Sequence, residues 1–152
     1  MPEILDVLGP RIQHLTELAN NQDYCVMKGE VGPGVIVPVH SHADRETFYV
    51  ISGELEAWSG DRWITLRAGD ILDIPENEKH AWRNLSNENV TLLITTTVKM
   101  GEFFSEVGRP AASVPPGPPQ PAALQKFVEV AMNYGYWLGT PEDNATIGLK
   151  LG

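Results

Sequence analysis

Three of the four histidines in this chain stand with one glutamate in a fixed frame: Gly34, five residues, His40-Ser41-His42, three residues, Glu46, six residues, Gly53, and further on His80. Two imidazoles at i and i+2 on a strand share a face, which is what a chelating pair requires. Glu46 lies six residues after His40, an even offset, so unbroken strand pairing puts its carboxylate on that same face. Imidazole and carboxylate donors together suit iron, nickel, manganese, zinc or copper, and do not choose among them. Four protein ligands leave a six-coordinate ion two positions for water, a substrate oxygen or dioxygen. Glu46 has two further possible roles: swinging off the ion to accept a substrate proton, or pairing with Arg45 at the rim. The fourth histidine, His14, has no such company and reads as an ordinary residue with its hydrogen bonds satisfied.

These groups need rigid elements to hold them. From Tyr24 to Val98 the chain reads as short strands broken by turn residues, the rhythm of a sandwich or barrel. Val35-Ile36-Val37 leads into the histidine pair, and Thr47-Phe48-Tyr49-Val50-Ile51 follows Glu46. Ser52-Gly53 and Gly60-Asp61 are turn signals, the second flanked by Trp58 and Trp63, which a hairpin would pair. Strands are expected at Ile71–Ile74, Ala81–Leu85 and the β-branched run Val90–Val98. By alternation Phe48 and Val50 share a face with Glu46, and Trp82 shares one with His80, so these three are the candidate pocket wall. If Phe48 and Trp82 reach the mouth, the site favours a flat or aromatic organic molecule over a sugar phosphate.

Beyond Val98 the pattern changes. Glu102–Val107 can form a helical turn with its aromatics inward. Between Pro110 and Pro121 lie six of the chain's twelve prolines, an extended connector. Leu124, Phe127, Val128 and Ala131 then recur at helical spacing, predicting an amphipathic helix over 122–134 that stops at Gly135 and must bury its stripe on the barrel or a partner subunit, both favoured over the barrel mouth, where it would act as a lid. Near the N-terminus, Ile12–Leu15 is a candidate edge strand.

The frame continues past Gly53 with fifteen residues, Gly69, five residues, Pro75, one residue, Asn77, two residues, His80, three residues and Asn84. Together the two stretches resemble the paired motif of the cupin superfamily, with one departure: Asn77 stands where that family usually has glycine. Asparagine best tolerates the left-handed backbone such a turn needs. The resemblance implies an all-β fold, a single jelly-roll antiparallel β-barrel over about 24–98, in one domain spanning 1–152. It also implies one divalent transition-metal ion on His40, His42, Glu46 and His80. Within the superfamily, Glu46-Thr47-Phe48-Tyr49-Val50, Gly69-Asp70 and Phe103-Phe104 followed by Glu106-Val107-Gly108 look like small single-barrel proteins similar to quercetin 2,3-dioxygenases. The implied reaction is dioxygenation of a flavonol-like, phenolic or enediol molecule, deprotonated by Glu46. Polyketide cyclase or isomerase chemistry and non-catalytic small-molecule binding are the alternatives.

Composition narrows the partners. A chain of 152 residues is single-domain size. Its formal net charge of −9 argues against nucleic acid or an anionic membrane as a partner, and leaves a small organic substrate. One cysteine, Cys25, precludes an intrachain disulfide, and the start Met1-Pro2-Glu3-Ile4 has neither the basic residues nor the apolar run of a secretory signal, so a cytoplasmic location is expected. A homodimer is expected from the amphipathic helix and the sheet edges. No phosphate-cradling glycine loop or Gly-x-Ser-x-Gly motif is present in the sequence.

Overall fold

A computed structural model describes residues 2–151. The strands, in chain order, are β1 (Ile4–Asp6), β2 (Arg11–His14), β3 (Cys25–Val31), β4 (Ile36–Ser41), β5 (Glu46–Ser52), β6 (Glu54–Ser59), β7 (Arg62–Arg67), β8 (Ile71–Ile74), β9 (His80–Arg83) and β10 (Val90–Thr96). After these come helix α1 (Val98–Val107), the short β11 (Arg109–Pro110), α2 (Pro121–Asn133), the short β12 (Trp137–Leu138) and α3 (Pro141–Thr146).

All strand pairing is antiparallel and builds two sheets. One runs β11-β1-β2-β3-β10-β5-β8, the other β12-β4-β9-β6-β7. β3 shows why such strands form: its residues alternate buried and half-buried without a break, so Cys25, Met27 and Val31 enter the core from one face. Phe48, Val50, Leu55, Ile74, Trp82, Val90 and Leu92 meet them from the other strands. The fold is the expected β-rich jelly roll with helices after the barrel strands.

Several boundaries differ from the sequence expectations for physical reasons. Ser52-Gly53 does turn the chain, yet β5 and β6 do not pair with each other; they belong to opposite sheets. Gly53 makes that crossing with φ of 88°, and a Cβ there would stand 2.6 Å from the Asn89 carbonyl oxygen, so the turn needs glycine. The hairpin at Gly60-Asp61 forms, with Trp58 directly opposite Trp63. The segment near Ile12 becomes β2, which lies between β1 and β3 and is therefore not an edge. The run ending at Val98 stops as strand at Thr96, because Thr97 caps α1, its hydroxyl accepting the Met100 N–H at 3.0 Å.

The C-terminal helix forms within a residue of its expected bounds, with Pro121 in its first turn. Only part of the expected stripe packs within the chain. Val130 and Ala131 are buried and Phe127 packs on Phe103 of α1 at 5.5 Å between ring centroids, while Leu124 and Val128 face outward. Phe103, Phe104, Phe127, Tyr134 and Tyr136 form an aromatic cluster, and it is this cluster that sets how the helix rolls. No helix among the described residues is long and apolar enough to cross a membrane.

Candidate metal centre

His40 lies on β4 and His80 on β9, and the two are direct partners across the sheet. Between Val37 and His40 the register slips by a bulge, which re-aims the ligand end of β4 relative to its start. His42 falls one residue past the end of β4, in the loop that crosses to the other sheet, where Glu46 opens β5. The strand-parity argument for Glu46 therefore does not apply: no continuous strand joins it to His40. Barrel closure brings it to the histidines from the opposite sheet.

The three histidines offer ring nitrogens that all lie within 4.8 Å of one another. Glu46 Oε1 stands 2.8 Å from His42 Nε2 and 3.5 Å from His80 Nε2. His42, Glu46 and His80 are 5%, 4% and 1% exposed, so this is a buried polar group rather than a solvated cluster. His40 is half-buried and gives the group its face toward solvent.

Each ring is oriented by its far nitrogen. Nδ1 of His40 bonds the Pro38 carbonyl at 2.7 Å, that of His42 the Asp44 carbonyl at 2.7 Å, and that of His80 the Glu78 carbonyl at 2.8 Å. A carbonyl oxygen can only accept, so Nδ1 carries the proton in all three, and in the neutral ring Nε2 keeps its lone pair. Nε2 of His42 and of His80 is buried without a well-aligned hydrogen-bond partner. Such orphaned acceptors are rare in a finished core and are what a metal site requires, with backbone carbonyls as the outer-sphere acceptors that hold the rings.

The charges agree. Burial, with the neighbouring His80 adding to it, holds His40 down at about 3, so its ring is neutral and available. Burial pushes Glu46 up, but its contacts with His42 and His80 outweigh that and leave it at about 2. Burial also works against a charged His42, and the Glu46 carboxylate overcomes it, raising His42 above the ordinary histidine value. The point between His42 Nε2 and Glu46 Oε1 thus favours positive charge, supplied by a proton or by a cation. Three imidazoles and a carboxylate of this kind fit a divalent transition metal.

The second motif's turn is built as its departure allows. Asn77 adopts φ of 63°, and its N–H donates to the His42 carbonyl at 2.8 Å, tying the turn before His80 to the His42 loop. Asn84 is fully buried and gives hydrogen bonds to the Val31 and Glu88 carbonyls while accepting from Ser86, so it organises the loop into β10. Arg45 turns outward and pairs with Asp73, which leaves Glu46 to the histidines.

Of the candidate wall residues, Phe48 and Trp82 pack on each other at 4.3 Å and Trp82 meets His80 edge-on at 6.3 Å. They form an apolar floor beside the imidazoles. Val50 is fully enclosed in the hydrophobic core.

Two residues near the centre carried no sequence signal. Asp44 is buried; one carboxylate oxygen accepts from Thr97 and the other makes no well-aligned hydrogen bond. Tyr136, just before β12, packs on His42 at 5.6 Å, and its buried hydroxyl makes no well-aligned hydrogen bond, with the Asp44 carboxylate as its neighbour. Burial, with the charge and hydrogen bonding of Asp44 and the charge of Glu46 adding to it, pushes the Tyr136 phenol up, so it stays protonated. Nothing in Tyr134-Gly135-Tyr136-Trp137 links that segment by spacing to the histidines.

Residues 27–96 match the family model described as Cupin domain. Over 105 residues, 67% of the chain, the sequence is 27% identical to quercetin 2,3-dioxygenase from Bacillus subtilis (strain 168), and it spans 31% of that protein's length. An RmlC-like cupin from Shewanella frigidimarina NCIMB 400 superimposes with a TM-score of 0.60 at 24% identity, over 68% of this chain and 89% of that one. The polyketide cyclase RemF from Streptomyces resistomycificus superimposes with a TM-score of 0.56 at 19% identity, over 64% of this chain and 68% of that one. At such identities the two solved structures establish the fold alone.

Proposed function

We propose that His40, His42, His80 and Glu46 hold one divalent transition-metal ion and that the chain is a metal-dependent dioxygenase of a flavonol-like, phenolic or enediol small molecule, a reading supported by the match of residues 27–96 to the cupin-domain family model. The observation that carries this reading is the pair of buried Nε2 atoms that make no well-aligned hydrogen bond and converge on one buried carboxylate, 2.8 and 3.5 Å away. The similarity to quercetin 2,3-dioxygenase supports the choice of reaction.

When bound, the metal supplies Lewis acidity toward a substrate oxygen and, if redox-active, access to dioxygen chemistry. The chain's residues do the rest. The Pro38, Asp44 and Glu78 carbonyls lock the three rings, so little reorganisation accompanies binding. Glu46 at about 2 stays anionic and offsets the charge of the ion. A carboxylate held that low is a weak base, so Glu46 takes a substrate proton only when its contacts with His42 and His80 are exchanged for others. Phe48 and Trp82 offer a flat apolar surface beside His80 and keep water from that side.

The test is oxygen consumption by metal-loaded protein across a panel of flavonols, catechols and enediols. Uptake that stops on chelation and returns with metal is expected. A flat electrode trace over the whole panel overturns the dioxygenase reading, and metal-dependent turnover that persists without oxygen replaces it with cyclase or isomerase chemistry.

A further inference from the structure

The family match ends at residue 96, yet the C-terminal segment is built into the ligand strand. β12 pairs with β4 at its ligand end, Trp137 opposite Ser41 and Leu138 opposite His40. Val39 lies in the bulge where β4 and β9 lose register, and the C-terminal segment takes both of its backbone groups. The Val39 carbonyl accepts from Gly139 N–H at 2.9 Å, and Val39 N–H donates to the Asn144 side-chain oxygen at 2.8 Å, across 105 residues of sequence. The approach is so close that a Cβ on Gly139 would lie 2.4 Å from a Val39 methyl.

Asn144 is a fully buried polar side chain whose orientation is fixed. Its Nδ2 donates to the Thr140 carbonyl at 2.9 Å, and a carbonyl can only accept, so the amide oxygen is the atom left for Val39. The Thr140–Asp143 capping box closes the start of α3, and Leu149 N–H returns to the Asn144 carbonyl at 2.9 Å, so a closed unit delivers that oxygen. The bond acts on a peptide with two ends. Val39 N–H and the Pro38 carbonyl belong to one planar trans peptide and point to opposite sides of β4. On the far side, the Pro38 carbonyl accepts from His40 Nδ1 at 2.7 Å. A peptide whose N–H is bonded presents a stronger acceptor at its carbonyl. His42 and His80 also face Glu46, at 2.8 and 3.5 Å, whereas among the described residues the Pro38 carbonyl is the one hydrogen-bond partner of the His40 ring.

We propose that Asn144 is a positioning residue for His40: by holding the Pro38–Val39 peptide from the other side of β4, its side-chain amide keeps the Pro38 carbonyl on His40 Nδ1 and leaves Nε2 bare for the metal. The proposal rests on the metal-site reading above and not on the oxygen step. It gives the C-terminal segment, outside the residues matched to the family, a part in setting the ligand that motif spacing does not contain.

The test reads the full chain in two ways. Long-range proton–nitrogen correlation spectra of the metal-free protein report the tautomer of each imidazole, and titration with cobalt(II), followed by visible absorption, reports metal affinity. In Asn144→Ala, His40 is expected to pass from the Nδ1–H form alone to a mixture of both tautomers, with the His42 and His80 signals unchanged. Cobalt(II) is expected to bind about tenfold more weakly, the low end of what losing an outer-sphere partner costs. Trp63→Phe is the control: it removes the indole bond to the Ile147 carbonyl at 2.7 Å, loosening the same segment with no bond to the Pro38–Val39 peptide, and should match wild type in both readouts. A His40 that stays wholly Nδ1–H in Asn144→Ala overturns the proposal. An equal change in Trp63→Phe does so too, because packing of the segment would then be responsible in place of the amide. Should Asn144→Ala fold poorly, Asn144→Ser, whose side chain is too short to reach Val39, is read in the same spectra with the same outcomes deciding. Wild type that binds no cobalt(II) overturns the metal-site reading and this proposal with it; wild type that binds, with a His40 indifferent to Asn144, overturns this proposal alone.

Discussion

Two places in the molecule bring histidine nitrogens to buried or half-buried neighbours, and they differ in what is left over. At the first, His14 on β2 has Ser105 of α1 at 3.0 Å from Nε2 and Cys25 of β3 at 3.7 Å from Nδ1. Burial lowers His14 and raises Cys25, so both stay neutral and the corner carries no charge. Both ring nitrogens are occupied, and the group is complete. At the second, His40, His42 and His80 use Nδ1 for backbone carbonyls, and the Nε2 atoms of His42 and His80 are buried without a well-aligned partner. Leaving such atoms open works against folding stability, so a site that keeps them reads as a site that binds. Histidine content does not separate the two places; the unspent lone pairs do.

The comparison is broken most directly by removing ligands. His40→Ala with His42→Ala is expected to take metal from about one ion per chain to a trace, whereas His14→Ala keeps the full complement. Plasma emission analysis of protein purified without a chelating tag decides it, and equal metal in both variants would refute the assignment.

A smaller effect tests the apolar floor beside the open site. Phe48→Ala removes a buried ring packed on Trp82 and is expected to cost about 3–5 kcal/mol of stability. Calorimetry should then show a melting temperature lower by roughly 10 °C. A shift of only a degree or two would mean that Phe48 lines open space instead of core.

The smallest effect is expected where an ion pair is fully in water. Arg45 holds the Asp73 carboxyl below its ordinary value, with Thr47 adding a hydrogen bond. A lowered carboxyl stabilises the fold above the ordinary carboxylate range and loses that contribution as pH falls through the lowered value. The melting difference between wild type and Arg45→Ala is thus small at neutral pH and shrinks on acidification. A difference that grows in acid would show that Arg45 acts through something other than Asp73.

Much of the site was legible because its information is local. His40, His42 and His80 sit in motifs whose turns are short, and Asn77 takes the left-handed conformation its position demands. The alternation that turned Phe48 and Trp82 inward holds because each lies within one unbroken strand. Glu46 reached the site by a different route from the one its even spacing implied, since β4 ends before it and β5 lies in the opposite sheet. The stripe on α2 is only partly used within the chain for a related reason: Leu124 and Val128 have the right period, but Phe103 and Tyr134 decide how the helix rolls, and periodicity carries no record of which neighbour a residue meets.

By itself the sequence determined the candidate ligand types, the turn that admits Asn77 and the strand faces, because each depends on residues within one turn or one strand of each other. Tertiary structure alone decided that the C-terminal segment seats on the bulge at Val39 and brings Tyr136 and Asn144 to the ligand strand. That placement depends on backbone groups left unpaired by a register slip between β4 and β9, and those groups come into being only when the two strands meet.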